Sequence, residues 1–185
     1  MKKLFVAAGI ASGLLMAAGS AWADGVDVRL EFTGFISTET CSVENTASGT
    51  YVHKVDLPPV GSSVLAEKGT VAGLTPFKLK FTGCSGSTVG VWFKPDLTKV
   101  DALSGALINT YSGEETASNV QVQLLDSQQR ALNLNTITPD DIQKVNVDKD
   151  SKDATLNFYA QYLAGVDNTT GGPVAASVVL DMVFE

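Results

Sequence analysis

The sequence predicts an all-β fold, a β-sandwich formed by one domain. Three observations carry this. Apolar and polar residues alternate with period two in run after run, as in strands with one face in a core. Turn residues separate the runs at short intervals. No segment past residue 24 shows a long, capped 3.6-residue pattern.

Taken in order, Val26, Val28, Leu30 and Phe32 alternate with Asp27, Arg29, Glu31 and Thr33. Tyr51-Val52-His53-Lys54-Val55 reads as a further strand. Phe77, Leu79 and Phe81 alternate with Lys78, Lys80 and Thr82, and Val89, Val91 and Phe93 repeat the pattern. Val120, Val122 and Leu124 alternate with Gln121 and Gln123. Leu156, Phe158, Ala160 and Tyr162 form the next run, and Val178, Leu180, Met182 and Phe184 the last. Pro58-Pro59, Gly61-Ser62, Gly83 to Gly86, Ser112-Gly113 and Gly171-Gly172-Pro173 mark the turns. Thr138-Pro139-Asp140-Asp141-Ile142 suits one helical turn, with Pro139 at its first position.

The chain opens Met1-Lys2-Lys3, runs apolar from Leu4 to Ala18 and reaches Ala21-Trp22-Ala23. A basic start, a short apolar stretch and an A-x-A close make a secretory leader, with cleavage expected after Ala23. The apolar run is shorter than the roughly 20 residues of a membrane span. Removing 1–23 takes two lysines from the 13 basic residues and none of the 20 acidic ones. The formal charge moves from −7 to −9, and 162 residues remain. An acidic domain repels phosphate backbones, which argues against nucleic acid as a partner.

Two cysteines are present, Cys41 and Cys84. Export places them in an oxidising compartment, where a disulfide between them persists. Closing that loop stabilises the fold by about 4 kcal/mol in the chain-entropy model.

Other candidate chemistry is thin. His53 is the single histidine, so a dismutase-like copper–zinc site has too few ligands, and the two cysteines with His53 make no four-ligand zinc site. Ser85 in Gly83-Cys84-Ser85-Gly86 lacks the G-x-S-x-G elbow and reads as a turn. Asp148, Asp150 and Asp153 lack the glycine and closing glutamate of a calcium loop, so they read as a solvated loop. Asn168-Thr169-Thr170 matches a glycosylation acceptor without any sign of the route it needs. Trp92, between Val91 and Phe93, reads as core. No catalytic residue, metal or cofactor is expected.

The chain's two ends look complementary. The last run stops with nothing after it to hairpin back and cover its edge. The first run offers a strand with one strongly apolar face. An uncovered apolar strand is an aggregation hazard and also the equipment for adding a strand to another molecule's sheet.

These motifs resemble the pilin subunits of chaperone–usher fimbriae. Phe32-Thr33-Gly34, seven residues before Cys41, is similar to the family's F-x-G lead into its first cysteine. Phe77 to Cys84 is similar to the strand that delivers the second. Val120 to Asp126 and Phe158 to Tyr162 resemble a central and a late strand. Gly172, fourteenth from the end, and the penultimate Phe184 stand where the family has Gly and an aromatic, most often Tyr. One position departs: Val28 stands where family donor strands usually carry Gly.

The resemblance implies an incomplete immunoglobulin-like sandwich lacking its final strand, completed by donor-strand exchange. It divides the chain into a leader at 1–23, an N-terminal extension at 24–36 and a pilin domain at 37–185. The donor strand would be Val26, Val28, Leu30 and Phe32. The chaperone-recognition strand would comprise Gly172, Val178, Leu180, Met182, Phe184 and Glu185, with the Glu185 carboxylate held by basic residues of the chaperone. The Cys41–Cys84 bond would be structural. Implied partners are identical or related fimbrial subunits, a periplasmic chaperone, an outer-membrane usher and a possible host receptor. The implied route runs through the periplasm to a surface fimbria. A structural subunit supporting adhesion is the reading this favours. A minor adaptor subunit, or a fibre subunit that itself binds a host receptor, stays open beside it.

Overall fold

The computed structural model describes residues 40–43, 52–94 and 96–185. The donor-strand residues Val26, Val28, Leu30 and Phe32 and the leader lie outside the described residues.

Among the described residues eight strands form two sheets. β1 (Ser42–Val43), β2 (Val71–Thr82), β7 (Ala154–Ala164), β5 (Val120–Leu125) and β4 (Leu107–Ile108) lie side by side in that order in the larger sheet. β6 (Lys144–Asn146), β3 (Thr88–Lys94) and β8 (Val179–Phe184) make the smaller one. Every strand pairing is antiparallel.

The alternation sets which side faces inward. Leu79 and Phe81 on β2, Val89, Val91 and Phe93 on β3, Val122 and Leu124 on β5, and Leu156, Phe158 and Ala160 on β7 form one core between the sheets. Phe81, Val89 and Leu156 are fully buried. Burying residues of this size supplies about 1.5–3 kcal/mol each before entropy is counted. β2 and β7 are the longest strands and pair from Val71↔Leu163 to Phe81↔Ala154. Their ladder slips once, between Ala72 and Thr75. Gly73 sits there at φ +72, with the Tyr162 ring 3.0 Å from where a Cβ would lie. A bulge of this kind needs a residue that accepts positive φ.

Cys41 and Cys84 are bonded across a sequence separation of 43. Main-chain bonds flank the bridge: Cys84 N–H donates to the Lys152 carbonyl and Ser85 N–H to the Thr40 carbonyl.

Three expectations need correction. The stretch after residue 51 forms no ladder: residues 52–60 form no strand, and Val55, Leu57 and Val60 pack against buried residues from there. Thr138 to Asp141 makes one hydrogen-bonded turn and no helix, closed by Asp141 N–H on the Thr138 carbonyl. Trp92 points away from the core, because its neighbours Val91 and Phe93 face inward. The indole N–H donates to the Ile137 carbonyl at 3.3 Å.

Candidate functional site: an open strand edge

The edges of the two sheets differ. β4 is two residues long, and β6 has three and carries Lys144. Short, charged edges make poor templates for another strand. β8 is six residues long and pairs with β3 alone among the described residues, from Val89↔Phe184 to Lys94↔Val179. Its second edge has no partner strand there. Antiparallel pairing uses alternate main-chain groups, so half of those on β8 point to that open side.

Burial tells the same story. Along the last segment Val174, Ala176, Val178, Leu180, Met182 and Phe184 all face the core, yet each is only half-buried. Cys41, Val43, Val55, Leu57 and Phe77 form a second half-buried set on the β1–β2 side. A cleft of about 420 Å³ runs along this second set, touching Val43, Val55, Phe77 and Leu79. A closed sandwich would bury these side chains as completely as Phe81 or Leu156. Val179, on the outward side of β8, is 65% exposed.

Both ends of the last segment are tied down. At its start, Asn109 satisfies four main-chain groups. Its Nδ2 donates to the Ala117 carbonyl at 2.9 Å and the Pro173 carbonyl at 3.1 Å. Its Oδ1 accepts from Tyr111 N–H and Ala175 N–H, each at 3.0 Å. Thr110 adds its main-chain N–H at 2.8 Å and its hydroxyl at 3.1 Å, both to the Ala175 carbonyl. At the far end, the Glu185 main-chain oxygen accepts from Ser87 N–H and Thr88 N–H at 2.9 Å each, and from the Ser87 hydroxyl at 2.8 Å. The Lys144 ammonium pairs with the Glu185 side chain.

Gly172 lies just before this segment at φ +146, packed so closely that a Cβ would collide with the Glu115 carbonyl and lie 2.6 Å from Ala117 N. A cleft of about 150 Å³ adjoins it, lined by Leu65, Val120, Tyr162 and Val174. Burial pushes the Tyr162 phenol above its ordinary pKa. Of the residues named from the sequence, the structure thus puts Val178, Leu180, Met182 and Phe184 in one stripe, with Gly172 before it and Glu185 after it. Asn109, Thr110, Ser87 and Lys144 were not singled out from the sequence. They sit in turns or short edges, where periodicity says nothing about what a polar side chain will reach.

His53 stands beside the Phe77 ring, with centroids 6.1 Å apart. Asp148 is spent on its own turn, accepting from Asp150 N–H, Ser151 N–H and the Ser151 hydroxyl. Among the described residues no group of three or more His, Cys, Asp or Glu side chains could hold a metal ion.

An immunoglobulin-like sandwich that lacks a strand is the fold of pilus subunits. A subunit from a chaperone–usher pilus structure concerned with rod uncoiling shares it at a TM-score of 0.56 and 15% identity, over 88% of this chain and 98% of that one. The P pilus rod subunit PapA shares it at a TM-score of 0.52 and 15% identity, over 78% and 99%. Residues 30–185 match the model of the family described as fimbrial protein, and the chain belongs to that family. It is 34% identical over 174 residues to the major fimbrial subunit SMF-1 of Stenotrophomonas maltophilia (strain K279a), covering 92% of this chain and 99% of that protein. The chain is therefore a fimbrial subunit, a structural protein like its relatives, which associates with other fimbrial subunits in a surface pilus.

Proposed function

We propose that the chain polymerises by donor-strand exchange as a major shaft subunit. The N-terminal extension at 24–36 of one copy lies along the open edge of β8 in the next. Val26, Val28, Leu30 and Phe32 enter the half-buried stripe of Leu180, Met182 and Phe184, while Asp27, Arg29 and Glu31 face solvent. The observation that supports this is that, among the described residues, β8 combines an edge without a partner strand with half-buried apolar side chains. Unpaired main-chain groups and half-covered apolar side chains are both costly, and one incoming strand relieves both. Each Val, Leu or Phe buried contributes about 1.5–3 kcal/mol.

Before assembly a periplasmic chaperone covers the same edge, using Gly172, Val178, Leu180, Met182, Phe184 and Glu185, and an outer-membrane usher exchanges it for the next subunit's extension. Val28, where the family usually has Gly, puts a larger side chain against the β8 stripe. The finished fibre supports adhesion.

A thermal melt tests the reading. The mature domain without residues 24–33 is heated with and without a synthetic peptide spanning Asp24 to Ile36. A ligand that binds only the folded state raises the melting temperature. The expected result is a large rise, lost when Leu30 in the peptide becomes Asp. A truncated domain that is already stable and ignores the peptide would sink the proposal.

A further inference from the structure

We infer that Asn109 at one end of the last segment, and Ser87 with Lys144 at the other, are positioning residues that hold the open edge of β8 ready for an incoming strand. This rests on the strand-exchange reading above. A strand with a neighbour on one side only is prone to local opening, because half of its main-chain groups bond to water. If it must be ordered at the moment of joining, that cost is subtracted from the joint.

The contacts suit this task. Asn109 is matched to its surroundings in both halves of its amide: the two donor bonds meet carbonyls and the two acceptor bonds meet N–H groups. An amide flip would lose all four. These bonds tie Pro173 and Ala175, at the start of the last segment, to the end of β4. At the other end three donors converge on the Glu185 main-chain oxygen, and Lys144 neutralises its side chain. The donors come from the turn that leads from the Cys84 disulfide into β3, a rigid base. Between the two ties β8 pairs with β3 alone among the described residues. None of these side chains belongs to the apolar stripe, so they shape the edge without lining it.

The test uses the mature chain in complex with its periplasmic chaperone, mixed with the Asp24–Ile36 peptide, and follows the rate at which peptide replaces chaperone. Loss of two polar contacts at an end should slow productive uptake about tenfold. The variants are the pair Ser87→Ala with Lys144→Met, and Asn109→Asp, which keeps the shape but turns two donor bonds into repulsions. Amide hydrogen exchange in Val179–Phe184 should quicken by a similar factor. Lys144→Arg should restore the wild-type rate, which a mere loss of bulk stability would not predict. Asn109→Asp could fail to fold, whereas Ser87 and Lys144 lie at the surface and carry the test alone. Folded Ser87/Lys144 variants with unchanged uptake and exchange would overturn the inference while leaving strand exchange standing. A wild-type chain that never takes up the peptide would overturn both.

Discussion

The ring of Phe93 meets that of Phe158 edge-on, with centroids 5.1 Å apart and planes at 79°. Phe93 belongs to the smaller sheet and Phe158 to the larger, so the contact joins the two across the core. Phe158 also stacks on Phe77 at 5.6 Å, which carries the chain of rings out to the half-buried side. Edge-to-face pairs add about 0.5–1.5 kcal/mol beyond area burial. Phe158→Ala should therefore cost about 3–5 kcal/mol, read from a denaturant melt. Phe77→Ala, at the partly exposed end, should cost less than half of that.

The disulfide closes a loop with a sequence separation of 43. Replacing both Cys41 and Cys84 by Ser should lower stability by about 4 kcal/mol in the chain-entropy model. Equilibrium unfolding in urea checks this. A loss under 1 kcal/mol would mean that the flanking main-chain bonds already hold the two segments together.

Gly172 has no room for a side chain. Gly172→Ala should cost on the order of 2–3 kcal/mol, because the obstructing atoms are backbone of 115–117 and cannot swing aside. Gly171→Ala is the control, with nothing within 4 Å of its Cβ position. Melting temperatures of the two variants should differ clearly.

Thr88 Oγ1 is buried with no hydrogen-bond partner among the described residues. Thr88→Val removes the unsatisfied hydroxyl at nearly constant shape and should stabilise the fold by about 1 kcal/mol. A destabilisation in the same urea assay would show that the hydroxyl has a partner after all.

Acid should weaken the fold through Asp101. The Ser104 main-chain N–H holds its carboxyl below the ordinary 3.8, with burial opposing and the Ser104 hydroxyl, Leu103 N–H and Gln121 assisting. A depressed carboxyl contributes stability that is fully present above the unfolded pKa and lost as pH falls through the folded one. Urea midpoints should thus decline below about pH 4, and Asp101→Asn should decline less steeply than wild type over the same range.

Much of the sandwich was legible in the sequence because inward-facing residues repeat every second position. Phe77 to Phe81, Val89 to Phe93, Val120 to Leu124, Leu156 to Tyr162 and Leu180 to Phe184 fall on strands with the expected faces inward, while Val178 lies just before the last strand. Trp92 misled because an apolar residue between two inward neighbours looks like core, when alternation itself assigns it to the other side. Residues 52–55 misled for the opposite reason: alternation records which residues are half-buried, and Val55 is, but it cannot show whether a ladder partner is within reach. The ends of β8 were invisible, because nothing in the composition of Asn109 or Ser87 announces contacts 64 to 98 residues away along the chain.

Among the described residues the edge of β8 is long and without a partner strand, and under the strand-exchange proposal that one edge sets a valence. A building block that accepts one neighbour at one place, and donates one segment to another, can only be threaded like a bead. It forms no branches and no sheets, and its two termini are chemically unlike. Length then becomes a matter of supply and of whatever occupies the last vacant edge, not of geometry within the bead.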